Sequence, residues 1–341
     1  MKFGIVFGGQ SYEHEISIVS AITLKDVINS EVAYVFCDKD REFYLIEAKD
    51  MKATYFSSGG YKKAKKLNIK QGGFYTEGMF SKKVEAEAYI NLIHGCDGED
   101  GKLSALFEFF DIKFIGSRLE AAALSYDKVL TKFLAEVTGV KTLPHQVLRR
   151  GDALKLELPI ILKPARLGSS IGIEIVKDKN ELEYALDKAF EYDDIILAEP
   201  FFEGIKEYNL AGCKIDGEIK FSIVEEPNKS DEILDFDQKY LSFSGSSKIR
   251  KADIGEELES KLQEAFSKLY NYGFDGSIPR CDFFVKDGEV YLNEINTNPG
   301  SLAYYLFDDF NDVINSLANS LPEYQKIPVG YEYIQSISVH K

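Results

Sequence analysis

Residues 3–7 form a continuous apolar run that ends in Gly8-Gly9, and apolar residues then recur at Ile16, Val19, Ile22, Leu24, Val27 and Ile28. This pattern predicts a buried strand, a glycine turn and a helix. Residues 33–36 and 43–46 predict two further strands around a charged turn, and residues 89–93 predict another that ends at His94-Gly95. Strands alternating with helical pattern point to parallel α/β organisation over residues 1–116, closed by residues 114–117. Residues 119–136 carry one helical pattern. Next come a strand at 160–163, a Gly/Ser loop at 166–172, a strand at 173–176, a helix at 181–190 and a strand at 195–199. The stretch from Lys206 to about Pro322 alternates strands with one clear helix, residues 256–270. Inside it, residues 228–248 are polar and aperiodic, and so long a structureless loop in a compact domain predicts a lid. Residues 331–339 alternate like a strand.

Composition narrows the classes. A length of 341 residues suits two or three domains. The net charge of -15, with no Lys/Arg block, argues against nucleic acid, so an anionic substrate would need local cations. Cys37, Cys96, Cys213 and Cys281 are widely spaced and read as thiols in a reducing compartment. The first apolar run is too short for a signal-peptide core, and no apolar segment approaches the roughly 18 residues of a membrane span. A cytoplasmic protein is expected.

Separate stretches carry candidate chemistry. Ile161-Leu162-Lys163-Pro164-Ala165-Arg166-Leu167-Gly168-Ser169-Ser170 sets a lysine at a strand's end, before a loop whose backbone N–H groups can cradle phosphate. It is neither a Walker A loop nor a G-x-G-x-x-G turn, and alone it reads equally well as a hairpin with a solvated lysine. The pair Arg280-Cys281-Asp282 and Asn293-Glu294-Ile295-Asn296, joined through Lys286-Asp287-Gly288-Glu289, is a stronger signal. Period-two alternation puts Glu294 and Asn296 on one face. A two-residue loop would pair Asp282 with Asn293, whereas a three-residue loop at 287–289 pairs it with Glu294. Carboxylates about 5 Å apart repel by roughly 3 kcal/mol at an effective dielectric of about 20, a cost that a shared proton or a cation removes. Hard oxygens with one amide suit Mg²⁺, so the metal reading predicts the longer loop.

Gly8-Gly9-Gln10-Ser11-Tyr12-Glu13 offers helix N-terminal N–H groups to a carboxylate or phosphate, with Glu13 placed for an amine. The plainer alternative is that its acids complement the helix dipole. His94 stands on a glycine-rich loop, where a lone histidine is as often structural. Lys128 on a helix and Lys239-Tyr240 in the lid complete a set of cations suited to a triphosphate.

Together these stretches resemble the D-alanine:D-alanine ligase family of the ATP-grasp superfamily, from Gly8 to about Leu306. The resemblance rests on Gly8-Gly9-x-Ser11-x-Glu13-x-Glu15-x-Ser17, His94-Gly95-x-x-Gly98-Glu99-Asp100-Gly101, Ser125-x-Asp127-Lys128, Lys163-Pro164-x-Arg166-x-Gly168-Ser169-Ser170, Lys239-Tyr240, Arg280-x-Asp282 and Asn293-Glu294-Ile295-Asn296-Thr297-Asn298-Pro299-Gly300. It implies a three-domain α/β ATP-grasp fold. An N-terminal Rossmann-like (pre-ATP-grasp) domain would span 1–116, a central subdomain 117–199, a catalytic subdomain 200–324 with the lid 228–248, and a tail 325–341.

The resemblance also implies roles. ATP would be clasped by Lys128 and Lys163 at its phosphates, with Ser170 and Lys239 also at the nucleotide. Glu199 and the backbone near Phe202 would hold adenine, and Glu207 the ribose. Asp282, Glu294 and Asn296 would bind two Mg²⁺, or Mn²⁺. Glu13 would hold the ammonium of the first D-alanine, and Ser169 would tie Glu13 to the lid through Tyr240. His94, Tyr305 and Leu306 would lie by the second substrate, while Arg280 and a Gly300 N–H would stabilise developing negative charge. Relatives that prefer D-lactate resemble this pattern with Phe at the lid tyrosine, so Tyr240 points to D-alanine. Pro200 and Tyr305 depart from the family's more common Lys and Ser. A D-alanine:D-lactate ligase or another ATP-grasp carboxylate-amine ligase is the alternative, and a homodimer is the implied assembly.

Overall fold

The computed structural model describes residues 1–227, 251–323 and 327–339. The first unit runs β1 (Lys2–Gly8), α1 (His14–Val27), β2 (Glu31–Cys37), β3 (Phe43–Ile46), α2 (Ala53–Ser57), β4 (Lys65–Lys70), β5 (Gly73–Thr76), β6 (Ala88–Asn91), α3 (Lys102–Phe109) and β7 (Phe114–Ile115). Its strands lie in the order β5-β4-β3-β2-β1-β6-β7. From Phe3 onward β1 carries no polar side chain, because parallel neighbours, β2 and β6, flank it on both edges while its faces are covered. The parallel expectation holds for that half only. β2 to β5 pair antiparallel; the turns after β2 and β4 are too short for the crossover that parallel strands need, while β3 and β4 are joined through α2.

The single helical pattern at 119–136 is two helices, α4 (Leu119–Tyr126) and α5 (Lys128–Thr138). Asp127 breaks it. With extended backbone (φ -89, ψ 114), its carboxylate accepts from the Val129 and Leu130 N–H groups, a cap worth about 1 kcal/mol. Lys128 therefore opens a new helix, and its own N–H reaches Ala165 O at 2.9 Å.

A second sheet follows, from β8 (Gln146–Leu148), β9 (Ile160–Pro164), β10 (Glu174–Val176) and β11 (Ile196–Pro200) in the order β10-β9-β11-β8, with α6 (Leu182–Ala189) against it. The third contains β12 (Lys206–Ile215), β13 (Glu218–Phe221), β14 (Arg280–Lys286) and β15 (Glu289–Asn296), in the order β13-β12-β14-β15. Helix Glu256–Tyr270 buries Leu262, Phe266, Leu269 and Tyr270 against this sheet, as its apolar spacing requires. Helix Phe310–Asn319 turns Phe310, Val313, Ile314 and Leu317 into the same core as Phe7, Ile18 and Leu24. The first and last parts of the chain thus share one apolar core.

The β14–β15 hairpin corrects an expectation. Lys286 pairs with Glu289, so the loop is the two residues Asp287-Gly288, both at positive φ (52 and 76). Asp282 nevertheless pairs with Glu294, because the register shifts between Asp282 and Phe283 and leaves Asn293 as the extra residue of a bulge. The Asp282–Glu294 pairing is present, and a bulge rather than a longer loop produces it.

The strand expected at residues 331–339 is a helix, Glu332–Val339. No strand among the described residues pairs with it, and a helix satisfies its backbone groups internally. The expected lid, with Lys239 and Tyr240, lies outside the described residues.

Gly8 sits at φ 101, and a Cβ there would lie 2.1 Å from the Cys37 carbonyl oxygen. Gly151 has a similar φ of 90 with nothing within 4 Å. Gly8→Ala is therefore expected to lower stability in urea unfolding by about 2 kcal/mol or more, and by clearly more than Gly151→Ala. Equal losses would mean that backbone strain alone, without the approach to β2, constrains this turn.

Candidate active site

Every part of the site begins at the end of a regular element. Glu13, at the start of α1, is buried, and its Oε1 accepts from the Ser169 hydroxyl of the loop after β9. Glycine makes room for this carboxylate: a Cβ on Gly95 would lie 2.6 Å from Glu13 Oε2, and one on Gly168 3.1 Å from Oε1. Burial, and then the nearby Glu99 charge, push the Glu13 carboxyl up from its usual range. Ser169 and Ser170 both adopt left-handed backbone (φ 56 and 58), which bends the loop sharply.

His94 follows β6 and is buried, with Nε2 3.0 Å from Ser20 Oγ on α1. Ser20 Oγ also accepts the Ser301 N–H at 3.2 Å, and Asn298 donates to Ile93 O at 2.9 Å. These bonds bring the turn that starts at Gly300 against His94. In that turn, Ser301, Leu302 and Ala303 are all left-handed (φ 48, 55 and 50). Burial pulls His94 down to about 4 and pushes Glu99 up to about 8. Burial thus works against a charge on either partner of their 3.6 Å contact.

The cations gather on β9 and α5. Lys163 Nζ donates to Glu199 Oε2 on β11 at 2.7 Å and to Asn293 Oδ1 on the bulge at 2.9 Å. Lys128 Nζ donates to Leu167 O at 2.6 Å. Burial lowers the Lys128 ammonium against the opposing pull of Glu294. Glu199 is buried, which alone would raise its carboxyl, yet Lys163 and Lys132 hold it down at about 2. Sequence reasoning missed Lys132. It lies one helical turn after Lys128, a spacing that could have drawn attention to it.

On the hairpin, Arg280 grips Asp282 through two bonds, Nε to Oδ1 at 2.7 Å and Nη2 to Oδ2 at 2.8 Å. Asn296 Nδ2 donates to Asp282 Oδ2 at 2.9 Å, which turns its carbonyl oxygen away from Asp282. Glu294 stands across from Asp282. Asn209 is Asp282's neighbour on the other side, and its buried Oδ1 has no hydrogen-bond partner among the described residues. An oxygen set of this kind, with an orphaned amide oxygen beside it, fits a hard divalent cation. Glu225 is a second missed residue: Asn209 donates to it at 3.1 Å, and burial raises its carboxyl, opposed by Arg280. Its surrounding sequence has no periodicity to mark it. Tyr305 also lies beside Arg280, and burial pushes its phenol up to about 12.

Other expected residues sit at the margins. Phe202 lies under Lys286, with Nζ 5.2 Å from the ring centroid, and Glu207 faces Phe284 across β12–β14. The Leu306 side chain is buried with Ala211 and Ala303, and its carbonyl accepts from Ile223 N–H at 3.1 Å. An open cavity of about 580 Å³ flanks the outer side of the Glu13–Ser169 contact, lined by Ser11, Tyr126, Leu167 and Tyr192 among others. Among the described residues, no helix is long and apolar enough to cross a membrane.

Residues 2–117 match the family described as D-ala D-ala ligase N-terminus, and residues 137–311 match D-ala D-ala ligase C-terminus. A D-alanine--D-alanine ligase of Campylobacter concisus is 61% identical over 99% of this chain and 98% of its own length. Its counterpart in Campylobacter jejuni is 56% identical over 100% and 99%. The crystal structure of a D-alanine-D-alanine ligase from Helicobacter pylori superposes with a TM-score of 0.85 at 47% identity, covering 95% of this chain and 100% of that one. A D-Ala:D-Ser ligase from Enterococcus faecalis superposes at 0.77 with 27% identity, covering 93% and 98%.

His94 gives a test in solution. The folded protein protonates it at about 4, whereas the unfolded chain does so near 6.5. The unfolded state binds the extra proton between those values, so this residue removes stability as pH falls from about 6.5 to about 4. The melting temperature of His94→Gln should decline less steeply than that of the unchanged protein across that window. Parallel declines would show that His94 is protonated as readily folded as unfolded.

Proposed function

Because the chain belongs to the D-alanine:D-alanine ligase family, we propose how its own residues divide the work of that reaction. The reaction is the ATP-dependent joining of two D-alanine molecules to D-alanyl-D-alanine, for peptidoglycan precursor synthesis. A carboxylate oxygen of the first D-alanine attacks the γ-phosphorus as the bond to ADP breaks. The amine of the second then attacks the acyl carbon of the D-alanyl phosphate, loses a proton and expels phosphate.

Glu13 receives the ammonium of the first D-alanine, and the Ser169 hydroxyl on its Oε1 fixes the carboxylate's direction. Lys128 and Lys163 face the phosphates, with Ser170 and Lys239 beside them. Glu199 and the backbone near Phe202 take adenine, and Glu207 takes the ribose. Arg280, already held by Asp282, is pre-oriented toward negative charge that develops on the phosphoryl oxygens and the tetrahedral intermediate. The Gly300 N–H aids the same charge. His94 and Tyr305 bound the second substrate, with Leu306 supporting that wall from the core. Tyr240 selects against D-lactate.

Asp282, Glu294 and Asn296 hold two Mg²⁺, or Mn²⁺, which supply charge neutralisation for the phosphate oxygens. The domain boundaries fall at 1–116, 117–199 and 200–324, and the protein works as a cytoplasmic homodimer. One observation carries the site assignment: the bulge that sets Asp282 against Glu294 also delivers Asn293 to Lys163. A phosphate-facing lysine and the metal carboxylates are thereby fixed to one hairpin.

Purified protein with ATP and Mg²⁺ should release ADP only when D-alanine is present, and mass measurement should find D-alanyl-D-alanine. ADP release that is indifferent to D-alanine would transfer the site to another carboxylate. Arg280→Ala should lower kcat by about 100-fold or more while changing ATP affinity little. Equal losses in both would make it a uniform binding residue. Tyr240→Phe should keep ATP binding and admit D-lactate as second substrate, seen as depsipeptide by mass; unchanged discrimination would remove the lid tyrosine as the selector.

A further inference from the structure

Lys132 has no place in the roles above, yet it is the most enclosed cation of the site. It lies on α5 one turn beyond Lys128, with 4% of its surface exposed. Its Nζ stands 2.5 Å from Glu199 Oε1, while Lys163 Nζ stands 2.7 Å from Glu199 Oε2. One buried carboxylate therefore lies between two ammonium groups. Burial draws the Lys132 ammonium down from its usual range, and the Glu199 carboxylate it donates to is the first influence that opposes this.

A single carboxylate can cancel a single ammonium. If Lys132 were absent, Glu199 and Lys163 would form a closed, neutral pair, and little of the Lys163 charge would remain for an anion. With Lys132 present, Glu199 is shared, and the trio keeps one uncompensated positive charge. The outward member of the trio is Lys163, which also reaches Asn293 on the bulge beside Glu294.

We propose that Lys132 is a positioning residue for the nucleotide: a buried counter-cation that prevents Glu199 from neutralising Lys163 and fixes the direction of the Glu199 carboxylate. The inference rests on the assignment of Lys163 and Glu199 to ATP made above. Lys132 donates to Glu199, so its effect passes through charge balance. Its removal should appear in binding before it appears in turnover.

The test measures ADP binding by calorimetry, together with KM for ATP, kcat and melting temperature. It compares the unchanged protein with Lys132→Met, Lys132→Arg and the double variant Lys132→Met/Glu199→Gln. Lys132→Met should weaken ADP binding and raise the KM for ATP by about 10- to 100-fold, with kcat changed by less than about 3-fold. Lys132→Arg should stay within about 3-fold of the unchanged protein. The double variant removes the carboxylate charge that Lys132 offset, and Gln still offers an acceptor oxygen, so it should recover most of the lost affinity.

A double variant that binds ADP no better than Lys132→Met would overturn the proposal and leave Lys132 as packing. So would ADP binding by Lys132→Met at full strength. Should Lys132→Met not fold, the arginine and double variants carry the comparison, because both preserve the charge balance. Failure of the unchanged protein to bind ADP would instead overturn the nucleotide assignment itself.

Discussion

The polar groups gathered between the three sheets are largely buried, so each must find its counter-group inside the protein rather than in water. That requirement organises the molecule. The partners come from different sheets: Glu13 of the first unit meets Ser169 of the second, and Lys163 of the second meets Asn293 of the third. Asn298 and Ser301 of the third part bond back to Ile93 and Ser20 of the first. Desolvation makes an unpaired charge costly, and these contacts across the seams are how the cost is met. Substrate groups would enter a place where the local field is already set by fixed neighbours.

The same arrangement explains how an acidic chain can hold a nucleotide. The global charge is strongly negative, but at Glu199 two lysines, Lys132 and Lys163, face a single carboxylate. Interactions over a few ångströms in a dry cleft outweigh screened charges on the surface. Burial disfavours charge on His94 and Glu99, on the side where the amino acids are expected.

Much of this was legible in the sequence because it depends on local pattern. The strand–glycine–helix start, helix Glu256–Tyr270 and the Arg280–Asn296 hairpin follow from periodicity and turn residues. What escaped is either local detail that periodicity does not mark or depends on partners distant in the chain. The antiparallel turns after β2 and β4 are decided by short connections, and the split at Asp127 by a single capping carboxylate inside an unbroken apolar pattern. Lys132 looks like any surface lysine until α5 is packed against β11, and Glu225 becomes part of the site only through Asn209. The alternating tail shows the converse: alternation makes a strand only where a neighbouring strand accepts it.

The bulge at Asn293 bears on how freely the hairpin can vary. Register at the carboxylates is set on the site side of the bulge, several pairs away from the Asp287-Gly288 turn. The intervening pairs, from Phe283–Leu292 to Lys286–Glu289, form a spacer between an exposed tip and the Asp282–Glu294 pair. The tip can therefore be lengthened, shortened or recharged without moving that pair. The hairpin is built so that its outer end is open to evolutionary drift and its inner end is not.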